Sequence, residues 1–152
     1  MLSCDDIAYT AGIIDGEGYI GIIKRDKALS GGRITYDLRI NVTMCNPLIP
    51  SWLYANFGGR YYDFQPPSLN RKHLYEWRLE ASNAGEFLKL ILPYLKMKRG
   101  EAEIAIEFQD TRRVKYCRRK GKPNILVEAE TILHKKLGEL HERQYSDYKL
   151  GA

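Results

Sequence analysis

Residues 34–43, ITYDLRINVT, alternate between apolar and polar side chains without exception. Successive side chains of a β-strand point to opposite faces of the sheet, so this run predicts a strand with one apolar and one polar face. Residues 74–81, LYEWRLEA, show the same alternation, with Trp77 and Leu79 on the apolar side. Because an antiparallel sheet can leave one face open, we expect helices to cover the apolar face only.

The other segments divide into helices and strands separated by turns that contain glycine or proline. We predict helices at residues 3–15, 46–57, 82–92, 99–113 and 124–145, and strands at residues 19–25, 34–43, 60–65 and 74–81. The last helix has as its apolar positions Ile125, Ile132, Leu133, Leu137 and Leu140. The order α-β-β-α-β-β-α with two further helices predicts one α+β domain over residues 1–152.

Composition limits the class of protein. No apolar run approaches the roughly 20 residues of a membrane span, and the N-terminal MLSCDDIAYT lacks the basic and apolar regions of a signal peptide. The three cysteines, Cys4, Cys45 and Cys117, are widely spaced, which indicates a reducing compartment rather than a disulfide framework. We expect a protein of a prokaryotic cytoplasm or an organelle, neither secreted nor membrane-bound. The formal net charge of +5 is compatible with a nucleic-acid partner.

The stretch YTAGIIDGEGYI, residues 9–20, brings a predicted helix to two acids, Asp15 and Glu17. A helix carries its negative pole at this end, so acids there are locally unfavourable. Taken singly, Asp15 reads as a hydrogen-bonding acid and Glu17 as a solvated one. Together they break a local rule without evident compensation, which is typical of functional sites. A divalent cation would resolve the conflict, because hard cations prefer oxygen ligands.

Small residues recur every four positions along the same helix, at Ala8, Gly12 and Gly16. Residues at this spacing lie on one face, and a face of small side chains lets another helix approach closely. Ordinary packing inside one chain explains such a stripe, and so does packing against a second copy of the chain.

The polar side of the predicted sheet is rich in hydrogen-bonding groups. Its assigned members are Tyr19, Ile23, Arg25, Lys27, Thr35, Asp37, Arg39, Asn41, Glu76 and Arg78. Solvation alone explains many such faces, but Arg, Asn and Asp also read base edges in a DNA major groove. In the third strand, Tyr61, Asp63 and Gln65 are assigned to this side. Tyr62 and Phe64 compete with them for the core, so the register of this strand stays open.

Residues 112–122, RRVKYCRRKGK, hold seven basic residues and no acid. Such a run is often only solvated, but beside a DNA-binding face we expect it to anchor phosphates, which positions a protein without specifying sequence. The residues assigned to this role are Arg112, Arg113, Lys115, Arg118, Arg119 and Lys120.

Two stretches carry a resemblance to a known family. TAGIIDGEG at residues 10–18 resembles the LAGLIDADG motif of homing endonucleases, with seven of nine positions identical or conservative. LPYLKMKRGEAEIAIEF at residues 92–108 resembles the family's second signature, an apolar-Pro-Tyr-Leu helix end followed by a lysine and a new helix. Trp77, upstream of that lysine, also fits. The resemblance implies the αββαββα homing-endonuclease fold, a saddle-shaped antiparallel sheet of four strands with helices on one face.

The resemblance also implies roles for single residues. Glu17 would bind a metal at the end of the motif helix, beside the Gly16 carbonyl, and Asp15 would hold the helix end. Lys98 would be the basic residue near the scissile phosphate, where it offsets developing charge. The implied cofactor is Mg²⁺, with Mn²⁺ as an alternative and Ca²⁺ as a non-catalytic substitute.

The chain has a single copy of the motif, so the resemblance implies an intron-encoded homodimer that cuts both strands of a long, near-palindromic DNA target. The motif helices of two copies would pack across a two-fold axis. The residues assigned to that interface are Ala8, Ala11, Gly12, Asp15 and Gly16.

One departure from the family bears on activity. Single-motif relatives often carry a water-positioning glutamine near the end of the second strand, where this chain has Met44. Methionine cannot position water, so Asn41, Asn46 or another water network would have to serve. The alternative function is a catalytically weak or inactive nucleic-acid-binding protein or RNA-splicing maturase of the same fold. A structural dimerisation module is a further alternative, which the Arg-rich polar face argues against.

Overall fold

The structure, a computed structural model, describes residues 2–25, 32, 34–66, 72–115 and 120–150, with side chains of the last helix described to residue 143. The helices are α1 (Cys4–Glu17), α2 (Leu48–Phe57), α3 (Ala81–Ile91), α4 (Arg99–Thr111) and α5 (Asn124–Leu150). The strands are β1 (Gly18–Arg25), β2 (Thr35–Met44), β3 (Arg60–Phe64) and β4 (Leu74–Glu80), and a 3-10 turn covers Leu92–Tyr94. The predicted order of elements is confirmed.

The four strands form one antiparallel sheet in the order β1-β2-β4-β3. The two strands with the clearest alternation, β2 and β4, are its central pair. β2 buries one complete face, namely Tyr36, Leu38, Ile40 and Val42. The predicted α+β fold with a four-stranded antiparallel sheet is therefore confirmed.

The core lies between the apolar face of the sheet and the helices. Trp77 of β4 is fully buried, and its ring centroid lies 5.2 Å from that of Phe87 of α3. Its indole Nε1 donates a hydrogen bond of 2.8 Å to the carbonyl oxygen of Gly58. Gly58 and Gly59 turn the chain from α2 into β3 with φ angles of 67° and 92°, which glycine adopts without steric cost. The core thus fixes α2 and α3 over the sheet.

The helix α1 begins with a capping box. The Ser3 side chain accepts a hydrogen bond from the Asp6 amide, and the Asp6 carboxylate accepts one from the Ser3 amide. The sequence predicts capping at this position. It places the end of the helix near Asp15, whereas α1 continues through Glu17. Asp15 and Glu17 therefore both lie in the last helical turn.

Two helices differ from the prediction. α3 begins at Ala81 directly after β4, not with Ser82 or Asn83 as the cap, and Ala81 has a φ of 54°. In α5, Leu133 is buried, but Ile125 and Ile132 are exposed. α5 buries only a narrow stripe because it packs against α4 and against β1 and β2 at one edge of the sheet. Among the described residues, no helix is both long and apolar enough to cross a membrane.

Candidate functional site

Asp15 ties the end of α1 to the turn that precedes α4. Its Oδ2 accepts a hydrogen bond of 2.8 Å from the Lys96 amide, and its Oδ1 accepts one of 2.9 Å from the Lys98 amide. The carboxylate is thus satisfied by two backbone donors from a segment about 80 residues away in the chain. This geometry agrees with the holding role implied for Asp15.

Lys98 lies against the same helix end. Its Nζ donates hydrogen bonds of 2.9 Å to the carbonyl oxygens of Ile14 and Asp15. These carbonyls belong to the last helical turn and carry the negative pole of the helix, so an ammonium group is favourable there. Partial burial lowers the pKa of Lys98, and the negative charges of Glu101, Asp15 and Glu17 oppose that shift, in decreasing order.

Glu17 is the acid that remains exposed. The C-cap amide of Gly18 donates to the Ile14 carbonyl, so the carbonyls at the end of α1 without a helical partner are those of Asp15, Gly16 and Glu17. Lys98 Nζ donates to the Asp15 carbonyl and is a second donor to that of Ile14. The exposed end of α1 therefore offers one carboxylate and nearby backbone oxygens, which are hard ligands of the kind that Mg²⁺ and Ca²⁺ bind. Across the described residues, no group of three or more His, Cys, Asp and Glu side chains could hold a metal.

The stripe of small residues on α1 lies open. Ala8, Gly12 and Gly16 are exposed, and a Cβ atom added at either glycine would meet nothing within 4 Å. Packing inside the chain therefore does not explain these glycines. Ala11 is different: it is fully buried in the core, so its assignment to an interface between copies is wrong.

The register of the sheet places most of the assigned polar residues on one face. Directly opposed residues of an antiparallel pair share a face. Tyr19 lies opposite Asn41, and Asn41 lies opposite Arg78. The remaining pairs on this face are Ile23 with Asp37, Arg25 with Thr35, Arg39 with Glu80, and Thr43 with Glu76. We call this side the polar sheet face; the DNA-binding role of its residues stays a prediction.

Ion pairs organise the polar sheet face. Arg39 Nη2 lies 3.1 Å from Glu80 Oε1, and Arg78 Nε donates to Glu76 Oε1 at 2.7 Å. Arg25 forms an ion pair with Asp37. Each carboxylate holds a guanidinium group in one direction, which reduces the entropy that the arginine would lose on binding a ligand.

In the outer strand β3, the residues assigned to the polar face lie on the helix-covered face instead. Tyr61 lies opposite Trp77, so it is on the helix-covered side, with its ring centroid 6.2 Å from that of Tyr54 in α2. Asp63 is on that side as well, and Gln65 lies beyond the strand, where it contacts His73. The assignment of Tyr61 and Asp63 to the polar face is wrong, because their pairing with β4 places them on the other face, while the assignment of Gln65 stays a prediction.

The residues that β3 does contribute were missed. Arg60 and Tyr62 lie opposite Arg78 and Glu76 on the polar sheet face. The guanidinium carbon of Arg78 lies 4.7 Å from the centroid of the Tyr62 ring, a cation–π contact. The only sign of this in the sequence was that the odd and even positions of the strand competed for the core.

Gly21 was also missed. A Cβ atom at this position would lie 2.4 Å from the Tyr19 ring, so the ring lies flat over the strand. A side chain at position 21 would displace that ring, so glycine is needed there for the ring to pack over β1.

Structure comparison identifies the fold. No protein-family model matches the chain, and no curated protein sequence matches it. Among solved structures, the homing endonuclease I-CvuI, in complex with its target in the presence of calcium, gives a TM-score of 0.70 at 20% identity over 88% of this chain and 80% of that one. The archaeal intron-encoded homing endonuclease I-Vdi141I, complexed with DNA, also gives 0.70, at 15% identity over 90% and 84%. The chain has the homing-endonuclease fold.

A further match shows how this fold occurs in longer chains. I-SmaMI, bound to an uncleaved DNA target in the presence of calcium, gives a TM-score of 0.63 at 19% identity. The match covers 91% of this chain but only 46% of I-SmaMI. The chain thus corresponds to about half of I-SmaMI and to most of I-CvuI.

Two residues of the basic stretch, which was expected to anchor phosphates, make contacts inside the chain. Arg112 donates to the Tyr36 carbonyl and to Asp37, both at 2.6 Å, and Arg113 pairs with Glu86 in the helix layer. Both arginines serve contacts inside the chain, and Arg113 lies on the side of the sheet opposite to the polar face. Lys115 and Lys120 are exposed. Lys27, Arg118 and Arg119 lie outside the described residues.

Met44 ends β2 on the helix-covered side. It pairs with Tyr75 and packs against the core, so it serves the fold and not a water network. Of the two substitutes considered, Asn46 accepts a hydrogen bond from the Leu48 amide at 2.9 Å. Asn41 lies on the polar sheet face, where it is 3.5 Å from the Thr43 hydroxyl.

Proposed function

We propose that the chain is a homodimeric homing endonuclease of the LAGLIDADG type that hydrolyses both strands of a double-stranded DNA target. The end of α1 carries this proposal. Asp15 and Lys98 are engaged with each other's segments, while Glu17 stays exposed at the edge of an open polar sheet. A chain that needed only a stable helix end would have no use for an exposed acid there.

The polar sheet face is the proposed DNA surface. β2 has ten residues, and at about 3.3 Å per residue it spans about one turn of B-DNA. Arginine and asparagine are the side chains that most often read guanine and adenine in the major groove, and glutamate accepts from cytosine. Arg39, Asn41 and Arg78 are the proposed base-reading residues. The structural likeness to I-CvuI and I-Vdi141I, whose structures contain DNA, supports this surface.

The exposed stripe of α1 is the proposed dimer interface. Glycine inside a helix costs about 0.5–1 kcal/mol relative to alanine, and within the described part of the chain a Cβ atom at Gly12 or Gly16 would meet nothing within 4 Å. Close contact with α1 of a second copy would explain both. A two-fold axis between these helices would bring the two Glu17 residues near each other and would favour a near-palindromic target about two turns long.

Glu17 and the Gly16 carbonyl are the residues that would hold a divalent cation. The donor set fits Mg²⁺, because both groups supply hard oxygen ligands and two copies supply two carboxylates. The bound metal would supply an activated water and charge stabilisation for phosphodiester hydrolysis. Lys98 would place a positive charge beside the phosphate, held in direction by the carbonyls of α1.

A second function is favoured by one observation. Met44 packs against the core, at the place where relatives are expected to position water. A chain without that residue could bind nucleic acid and cleave it weakly or not at all, as a maturase of the same fold would.

Selection of DNA from a random duplex library, with Ca²⁺ in place of Mg²⁺, would test the proposal. We expect near-palindromes of about two turns to be enriched, and Mg²⁺ to induce cleavage of both strands by the wild type but not by Glu17→Gln. Enrichment without cleavage under Mg²⁺ or Mn²⁺ would favour the binding function. No enrichment would show that the polar sheet face does not bind DNA.

A further inference from the structure

Glu130 is a buried acid in the apolar stripe of α5. The residue is 2% exposed, and Leu133 and Leu137, which follow it at helical spacing, are buried as well. An apolar side chain would suit such a position, because a buried charge is costly unless opposite charges face it. The groups that face the Glu130 carboxylate therefore decide what this acid does.

Both ends of the basic stretch, residues 112–122, meet at this carboxylate. Arg112 Nε lies 3.9 Å from Glu130 Oε1, and the Lys122 ammonium group forms an ion pair with the same oxygen. Arg112 begins the stretch at the end of α4, and Lys122 ends it shortly before α5. One carboxylate of α5 thus ties together the two ends of a segment with seven basic residues.

Arg112 extends these contacts to the polar sheet face. The pairing of β2 with β4 starts at Arg39, after Tyr36 and Asp37. Arg112 Nη1 donates hydrogen bonds of 2.6 Å to the Tyr36 carbonyl and to Asp37 Oδ1. Asp37 Oδ2 forms an ion pair with Arg25, whose side chain is 62% exposed on the polar sheet face. An exposed arginine of the proposed DNA surface is thus linked to the buried carboxylate through two intermediate side chains.

We propose that Glu130 is a positioning residue for DNA binding. Its carboxylate holds the two ends of the basic stretch together, so that the cations between them meet the DNA backbone from a fixed base. Through Arg112 it also holds Arg25 on the polar sheet face. Cations that are already held in place lose less conformational entropy when they bind phosphates. The inference rests on the proposed function, because its ligand is DNA.

The change of charge makes Glu130→Gln a test with a decisive sign. The variant removes a negative charge, so a change in net charge alone would tighten binding to DNA, whereas loss of positioning would weaken it. The probe is the random duplex library in Ca²⁺, because binding without sequence preference consists almost entirely of phosphate contacts. We expect the dissociation constant to rise about tenfold, and the slope of its logarithm against the logarithm of salt concentration to fall by about one to two.

Glu128→Gln is the matched control. It removes an exposed acid from the same helix and so makes the same change in net charge. We expect its dissociation constant to be unchanged or slightly lower. Equal behaviour of the two variants would overturn the proposal. Weaker binding by Glu130→Gln with an unchanged salt slope would overturn it as well, since that result would reflect a loss of structure without a loss of phosphate contacts.

Limited proteolysis tests the link without DNA. Trypsin cuts after lysine and arginine, so the basic stretch supplies its own cleavage sites. We expect cuts between residues 113 and 120 to be about tenfold faster in Glu130→Gln than in Glu128→Gln, with cuts elsewhere in the chain unchanged. If the wild type binds no duplex and these cuts still accelerate, the DNA-binding function fails while the link stands. Unchanged cutting, or equal acceleration throughout the chain, would refute the link even if the wild type is an active nuclease.

Lys122→Met keeps the proposal testable if Glu130→Gln does not fold. It changes a partly exposed side chain and releases only one end of the basic stretch. We expect cuts between residues 113 and 120 to accelerate in this variant too, by a smaller factor. Cutting at the wild-type rate would show that the ion pair with Glu130 does not hold the stretch, and the proposal would fall.

Discussion

The two ends of α1 are built on opposite principles. At the N-terminus, Ser3 and Asp6 form a capping box, and Asp5 adds a second acid at the positive pole of the helix. At the C-terminus, two acids lie at the negative pole, and the last turn has no basic residue of its own. The first end satisfies its backbone groups locally. The second end takes its amide donors and its one cation from Lys96 and Lys98, far away in the sequence.

This difference separates stabilising acids from acids with another use. Asp6 and Asp15 both accept hydrogen bonds from backbone amides, so both are explained by the fold. Glu17 occupies the unfavourable pole, is exposed, and is the only one of the three to which we assign a metal. Local rules are thus obeyed at the end that only holds the helix, and broken at the end where we place the chemistry.

Glu17→Gln should give the largest effect on activity. We expect cleavage of the selected duplex to fall by about 10²–10³-fold, while the melting temperature stays the same or rises slightly because an acid leaves the negative pole. Cleavage assays and thermal unfolding of the same sample measure both quantities. A large loss of stability would instead assign Glu17 to the fold.

Asp15→Asn, in contrast to Glu17→Gln, should reduce stability. The amide can no longer accept from both Lys96 and Lys98, so we expect a loss of about 2 kcal/mol in the free energy of unfolding. Urea denaturation at one protein concentration, with Glu17→Gln as the comparison variant, measures this loss. Unchanged stability would mean that the link between α1 and the turn before α4 does not hold the helix end.

Gly12→Ala tests the exposed stripe. In a single chain the added methyl group meets open space, but between two helices it would force them apart at a cost of about 1–3 kcal/mol. We expect the dissociation constant of the dimer, from analytical ultracentrifugation, to rise about tenfold or more. Gly138→Ala is the matched control, since it adds a methyl group to α5 in equally open space. Equal behaviour of the two variants would remove α1 from the interface.

Prediction from the sequence succeeded where a pattern has one physical meaning. The strict alternation of β2 leaves one face for the core, and the capped start of α1 follows from Ser3 and the acids after it. It failed for β3, because both faces of this strand carry aromatic residues, so the sequence does not show which face is buried. Pairing of Tyr62 with Glu76 settles that register only in the folded sheet.

Asp15 and Glu17 were predicted as site residues from their position at the helix end, whereas Lys98 was predicted only through the resemblance. Nothing local connects Lys98 with the carbonyls of Ile14 and Asp15, which lie more than 80 residues away. Contacts between distant segments carry no signature in the composition or periodicity of either segment.

The smallest expected effect concerns the capping box at the start of α1. Hydrogen bonds from the Ser3 amide and then from its hydroxyl lower the pKa of Asp6 below its ordinary value of 3.8. A carboxyl group with a lowered folded-state pKa stabilises the fold above its unfolded pKa, and this contribution is lost as the pH falls through the folded value. Asp6→Asn should therefore flatten the decrease in melting temperature below about pH 4, whereas Asp5→Asn, which leaves the Ser3 hydrogen bonds in place, should not. If both variants follow the wild type, the capping box contributes nothing measurable, and the N-terminal end of α1 is held by its packing alone.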